Sequence, residues 1–213
     1  MEKEYLQILA DKSMTKEELL QKVKLDFSLL PIILEGASSS KAAIRYGCAK
    51  VLMDLSEEYP QQLCPYMDFF IGLLDSKYRI LTWNAMAVFA NLTKIDNDGK
   101  FDAVFDKYYG FINDEYMVTV ANLVGNSGKI AVAKPHLTEK ITNELLKVEH
   151  LSITNHLTEE CKRVIAEHAI KSFDMFFDQV EQKDKVIAFV ERQLKSSRKT
   201  LREEAADFLK KNV

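Results

Sequence analysis

Residues 201–209 read Leu201-Arg202-Glu203-Glu204-Ala205-Ala206-Asp207-Phe208-Leu209. At about 100° per residue, Leu201, Ala205, Ala206 and Leu209 share one face of a helix. The two alanines allow close approach of a second helix. The same offsets recur at Ile44-Arg45, Cys48, Ala49 and Leu52. Ser40-Lys41-Ala42-Ala43-Ile44-Arg45 lies over Ser76-Lys77-Tyr78-Arg79-Ile80-Leu81, which sets Ala49 on Ala85 and Leu52 on Val88. A third copy runs Val118, Asn122, Leu123, Asn126, with Tyr116 and Asn122 matching Tyr78 and Asn84; a fourth runs Ile165, Ala169, Ile170, Phe173. The anchors Ile44, Ile80, Val118, Ile165 and Leu201 stand 36, 38, 47 and 36 residues apart. Periods of this size mark stacked helical pairs, because one pair cannot bury its apolar face alone. The longest step holds about ten extra residues, so an extended loop is expected within 126–137 or 148–158.

The rest of the chain agrees. Leu19, Leu20, Val23, Phe27 and Leu30 keep helical spacing, as do Ile80, Leu81, Ala85, Val88 and Leu92, and Cys161, Ile165, Ala169, Ile170, Phe173 and Phe177. Gly36, Pro60, Pro65, the Asp96-Asn97-Asp98-Gly99 turn and Pro135 mark helix ends. Pro31 falls in an apolar run, where a long first helix is expected to end or kink. Seven glycines and four prolines in 213 residues are well below ordinary usage of about 12%, which disfavours turn-rich β folds. The expected core holds Ile44, Ala49, Leu52, Ile80, Ala85, Val88, Leu92, Ile165, Ala169 and Phe173.

An aliphatic–Arg step, a small pair four and five positions on, then Leu, resembles the second helix of a HEAT repeat, over about residues 15–213. The family tends to place an Asp in the turn before that helix; Asp75 and Asp114 fit, while Ser39 and Ser196 stand there in other copies. The third copy has Thr119 and the fourth Ala166 where Arg is expected. The resemblance implies an all-α, right-handed α-α superhelix of about five helical-pair, armadillo-like repeats. It implies one domain, 1–213, with 1–14 an N-terminal helix or cap and 198–213 a polar capping helix. It specifies architecture and leaves function open, since such arrays serve many roles.

No catalytic constellation stands out. Cys48, Cys64 and Cys161 are odd in number, widely spaced and form no CxxC pair, which reads as reduced thiols in a cytoplasmic protein. No run of 18 apolar residues occurs, so no membrane span is expected. Glu149-His150 and Glu167-His168 differ from the His-Glu pairs of HEAT-like di-iron hydroxylases in order and spacing, and no metal or other cofactor is expected. Val124-Gly125-Asn126-Ser127-Gly128-Lys129 lacks the first glycine of a phosphate loop and Ile130 follows the lysine, so a helix end at Gly128 is the plainer reading.

Surface pattern says more. Positions +2, +6 and +9 of each second helix are expected on the concave side. In the last two repeats they are Glu167, Lys171, Asp174 and Glu203, Asp207, Lys210, all charged. In the first three they are Tyr46, Lys50, Met53; Thr82, Met86, Phe89; and Val120, Val124, Ser127, mostly apolar. Tyr46, Met53, Met86, Phe89, Val120 and Val124, with Trp83 on the flank, form the candidate partner-binding patch. The competing reading is that inner repeats are more fully buried, or that residues 1–14 cover this face. Trp83 packs between repeats or anchors a partner. Asn84 and Asn122 form either a structural ladder or part of a binding face. Arg192, Lys195, Arg198, Lys199 and Arg202 form a basic run, explained in part by the helix dipole and otherwise a patch for an acidic partner.

The leading expectation is a non-enzymatic adapter binding a protein or peptide. The alternative is a HEAT-like DNA glycosylase, and a third reading is a homo-oligomer using the same patch. A net charge of −3, from 29 basic and 32 acidic residues, argues against a nucleic-acid partner.

Overall fold

The structure, a computed structural model, describes residues 14–213. The expected cap over 1–14 lies, but for Met14, outside the described residues. All regular elements are helical, and among the described residues there is no β-strand, only an isolated bridge between Thr154 and Leu157. The chain divides into two compact units, one up to Lys100 and one from Phe101 to Val213.

The first unit contains α1 (Lys16–Leu25), α2 (Leu30–Ala37), α3 (Ala42–Glu58), α4 (Met67–Leu73) and α5 (Arg79–Leu92). Thr15 opens α1 with a capping box: its hydroxyl accepts the Glu18 N–H and the Glu18 carboxylate accepts the Thr15 N–H. The helix ends at Leu25, before Pro31. Asp26 is extended and its carboxylate accepts the Ser28 N–H at 3.0 Å, which starts a short 3-10 turn. Pro31 then sits in the first turn of α2, where its missing N–H loses no bond. The first helix, expected to end or kink at Pro31, ends six residues before it, and Pro31 opens the next helix. Lys24 Nζ meets Glu58 at 2.7 Å, Arg45 stacks on Tyr78, and Asn91 donates to Ser56 at 2.9 Å. These contacts pair start with start and end with end, so α1, α3 and α5 run parallel. The return helices α2 and α4 pack on α3 and α5.

The second unit contains α6 (Phe105–Tyr109), α7 (Met117–Ala133), α8 (Thr138–Leu146), α9 (Glu159–Phe176), α10 (Lys183–Gln193) and α11 (Lys199–Asn212). Here α7 packs on α9, α9 on α11, and α8 on α10. Gly125 faces His168 and Gly128 faces Ser172; Thr200 donates to Glu167 and Lys211 to Asp174. The long helices are thus again parallel. The five long helices α3, α5, α7, α9 and α11 are those the five anchors call for. The extra residues sit between α8 and α9, not in 126–137, which α7 largely spans. There Thr154 donates to Glu115 O at 2.8 Å, His156 O accepts the Met117 N–H at 3.2 Å, and the His156 ring stacks on Tyr116 at 4.2 Å. The insertion is fastened to the start of α7.

Two anchors are displaced by one residue. Ile80 and Val118 are 42% and 43% exposed, whereas Leu81 and Thr119 are 3% and 1% exposed. Counting from Leu81, positions 0, +4, +5 and +8 are Leu81, Ala85, Met86 and Phe89; from Thr119 they are Thr119, Leu123, Val124 and Ser127. All eight are buried. The turns give the same frame. Ser39, Ser76, Asp114 and Ser196 each accept the N–H two residues on, at 2.8–3.2 Å. Each stands five before Ile44, Leu81, Thr119 or Leu201. Ser76, not Asp75, is the turn residue of its repeat. The repeat arginines also act alike: Arg45 donates to Ser39 O and Ser40 O, and Arg202 to Ser196 O and Ser197 O. Each guanidinium ties down the turn that launches its own helix.

Candidate functional site

The frame correction moves the inner surface. A slip of one residue turns a helix face by about 100°, enough to exchange core for solvent. Met86, Phe89, Val120 and Val124 are each 0% exposed. They are core, which corrects the expectation that they form an open patch. Val124 is held further by Ser172, whose hydroxyl donates to its carbonyl at 2.6 Å. Tyr46, Met53 and Trp83 remain half-buried at the surface of the first unit.

In the first unit, the corrected +2 position is Tyr46 in α3 and Trp83 in α5. The Arg45 guanidinium lies 3.6 Å from the Tyr78 ring centre and 4.7 Å from that of Tyr46, and the two rings meet edge-on at 6.4 Å. Tyr46 also borders a cleft of about 500 Å³ with Ala42, Ala43, Gly47 and Met14–Glu17. Composition alone gave no weight to Tyr78 or Arg45; aligning on the turn serines would have placed both at the launch of their helices.

In the second unit, the solvent side of α7 carries Val118, Asn122, Gly125, Lys129 and Val132. Asn122 donates to Val118 O and Asn126 to Asn122 O, both at 2.8 Å. These amides bond back along their own helix rather than to neighbouring loops. α7 is unbroken through Gly128, so neither a phosphate loop nor the helix end expected there is formed. A Cβ on Gly128 would lie 2.7 Å from Met175 Sδ and 3.0 Å from Ser172 Cα and O. Glycine there lets α7 and α9 touch.

The basic run is engaged within the fold. Arg192 makes a two-pronged bond to Glu149, both arms 2.6 Å. Arg198 reaches Glu160 at 2.7 Å and Glu167 at 3.1 Å, and Lys199 lies 3.5 Å from Glu203. Lys195 is exposed. Glu167 is the hub. Burial works to raise its pKa, but bonds from Lys171, Thr200 and Arg198 outweigh that and hold it at about 2. Burial, then Lys171, lowers the pKa of the adjacent His168. The carboxylates of both Glu-His dipeptides thus serve cations. Among the described residues, no group of three His, Cys, Asp or Glu side chains has metal-holding geometry, and no helix is long and apolar enough to cross a membrane.

Neither a protein-family model nor a characterised protein sequence matches the chain. Solved structures do. A designed armadillo repeat protein, YIII(Dq.V1)4CPAF in complex with peptide (KR)4, matches at TM-score 0.63 and 14% identity, over 98% of this chain and 91% of that one. The fold is an armadillo/HEAT-like helical solenoid. Computationally designed armadillo repeat proteins for modular peptide recognition match at TM-score 0.60 and 16% identity, over 97% and 90% of the two chains. YIII(Dq)4CqI matches at 0.54 and 15% identity. At these identities the likeness is one of fold. The armadillo-like assignment also accounts for the broken first halves of the repeats. Such repeats use two or three helices, and here single helical turns at Pro60–Leu63 and Lys100–Ala103 precede α4 and α6.

Proposed function

We propose that the chain is a non-enzymatic interaction module, one solenoid over 1–213 whose long helices offer their solvent sides to an extended peptide of a partner protein. One observation carries this: in the first unit, half-buried Asn84 follows half-buried Trp83 on α5, and Tyr46 holds the place of Trp83 on the parallel helix α3. An extended peptide leaves main-chain N–H and C=O groups free. An asparagine amide has two N–H donors and a carbonyl acceptor to meet them, and half-buried aromatics supply anchoring area. The designed armadillo repeat proteins of similar fold, one in complex with peptide (KR)4 and others made for modular peptide recognition, support the same reading. A cytoplasmic setting belongs to it and rests on Cys48, Cys64 and Cys161, none of them joined in a disulfide. The DNA-repair alternative has less support, since Arg192 and Arg198 are bound to glutamates.

The test is selection of peptides from a displayed library, followed by titration of the winners against Trp83→Ala and Asn84→Ala. Each substitution is expected to weaken binding about tenfold, roughly 1.4 kcal/mol, with the thermal midpoint little changed. Selected peptides indifferent to both changes would place the site elsewhere.

A further inference from the structure

The launch end of α3 and α5 is unusually cationic. Residues 36–53 hold Lys41, Arg45 and Lys50 with no carboxylate, and residues 76–95 hold Lys77, Arg79 and Lys94 with none, in a chain of net charge −3. Lys50 pairs with Asp54. Lys41, Arg45 and Lys77 make no carboxylate contact among the described residues. Instead Arg45 and Lys77 share one ring: the guanidinium is 3.6 Å and Lys77 Nζ 5.2 Å from the Tyr78 centre. Arg45 is 4% exposed and its Nε lacks a partner. Lys41 is the N-cap of α3, directly after Ser40, whose carbonyl holds Arg45. Neither α3 nor α5 has an acid in its first turn or a side-chain cap. The positive ends of two parallel helices therefore carry added positive charge, the reverse of the favoured placement. Like charges gathered this way repel until an anion joins them. In the second unit, by contrast, Arg192 and Arg198 have glutamates of their own.

We propose that this rim, Lys41 and Lys77 beside Tyr46 and Tyr78 with the buried Arg45 charge beneath them, receives the carboxylates of an acidic segment of a partner protein. The inference rests on the peptide-binding reading above and names the chemistry of the peptide. Lys16 and Glu17, across the cleft beside Tyr46, cancel one another. Exposed Lys41 and Lys77 steer the acidic chain, and such attraction weakens as salt rises. The tyrosine rings supply apolar contact between carboxylates. The sign is opposite to that of (KR)4, the peptide in the designed relative's complex.

The experiment is fluorescence anisotropy on the full chain with three labelled probes: an octapeptide of alternating Asp and Glu, (KR)4, and a single-stranded oligonucleotide. The acidic peptide is expected to bind at least tenfold tighter than (KR)4, to weaken as salt is raised, and to lose at least tenfold in affinity with Lys41→Glu/Lys77→Glu. Both lysines are exposed, so the thermal midpoint should hold; Lys41→Gln/Lys77→Gln gives a milder loss free of new charge. Acidic-peptide binding unchanged in both variants, (KR)4 binding tighter, or the oligonucleotide outcompeting the peptide would each overturn the proposal. Library-selected neutral peptides that depend on Trp83, with no acidic-peptide binding, would overturn it while leaving the peptide-binding reading in place. No binding by any peptide, selected or designed, would overturn both.

Discussion

Replacing Gly128 by alanine places a methyl group where α7 and α9 meet. It would lie 2.7 Å from Met175 Sδ and 3.0 Å from both Ser172 Cα and O. Met175 is exposed and flexible and can swing away. The Ser172 backbone cannot, and it is already fixed by the 2.6 Å bond from its own hydroxyl to Val124 O. The helices must part by several tenths of an ångström, and overpacking of this kind costs about 1–3 kcal/mol. Against it stands the helix propensity of alanine over glycine, about 1 kcal/mol. Gly125→Ala, in the same helix, is the internal control. Its Cβ meets only the His168 ring, at 3.4 Å from Nδ1 and 3.9 Å from Cγ, ordinary contact distances, so the propensity gain should appear nearly alone. The expected result in urea denaturation followed by helical ellipticity is Gly125→Ala unchanged or stabilised and Gly128→Ala less stable than it by about 1–3 kcal/mol. Adding Met175→Ala to Gly128→Ala should restore little. Equal stability of the two alanine variants would refute the claim that glycine at 128 sets the helix spacing.

Phe89→Ala should lower stability by about 3–5 kcal/mol in the same assay, since the ring is wholly buried; a mild effect would return Phe89 to the surface. Ser76→Ala should cost about 0.5–1.5 kcal/mol through loss of the bond to the Tyr78 N–H, and no loss would undercut the turn-based frame. Glu167 has a depressed folded pKa, so its contribution is whole above about pH 4.5, the ordinary value, and lost as pH falls toward about 2. That amounts to about 3 kcal/mol at most, and stability measured from pH 6 down to 2.5 should show a shallower fall in Glu167→Gln. His168 adds to the wild-type fall at higher pH. Burial and Lys171 lower its pKa from 6.5, so the stability it contributes is whole above that value and lost as pH falls below it.

The all-α repeat architecture was legible because Ile44, Ile165 and Leu201 each start an unbroken 0, +4, +5, +8 pattern. The middle repeats misled for a specific reason. Ile80-Leu81 offers two aliphatic residues in succession, and the true third anchor is Thr119, a polar residue in the core between Val118 and Val120. Hydrophobicity alone picks the wrong neighbour in both cases. The serines and aspartate five positions upstream mark the frame unambiguously, because their bond to the N–H two residues on is set by backbone geometry rather than by burial. The open apolar patch followed from that slip, whereas Tyr46, Met53 and Trp83 stay half-buried at the surface. Ion pairing of the basic run was not legible, since Glu149, Glu160 and Glu167 lie 31–43 residues from their arginines.

Arg45 and Arg202 fasten their launching turns in the first and last of the five repeats, while Thr82, Val120 and Ala166 hold the equivalent place between them. In an array of this kind each repeat leans on its neighbours for stability. Guanidinium staples at 39–45 and 196–202 hold two of the turns from within their own repeats. Amide hydrogens of those two turns should therefore exchange more slowly than those of the turns before α5, α7 and α9, which carry no such arginine.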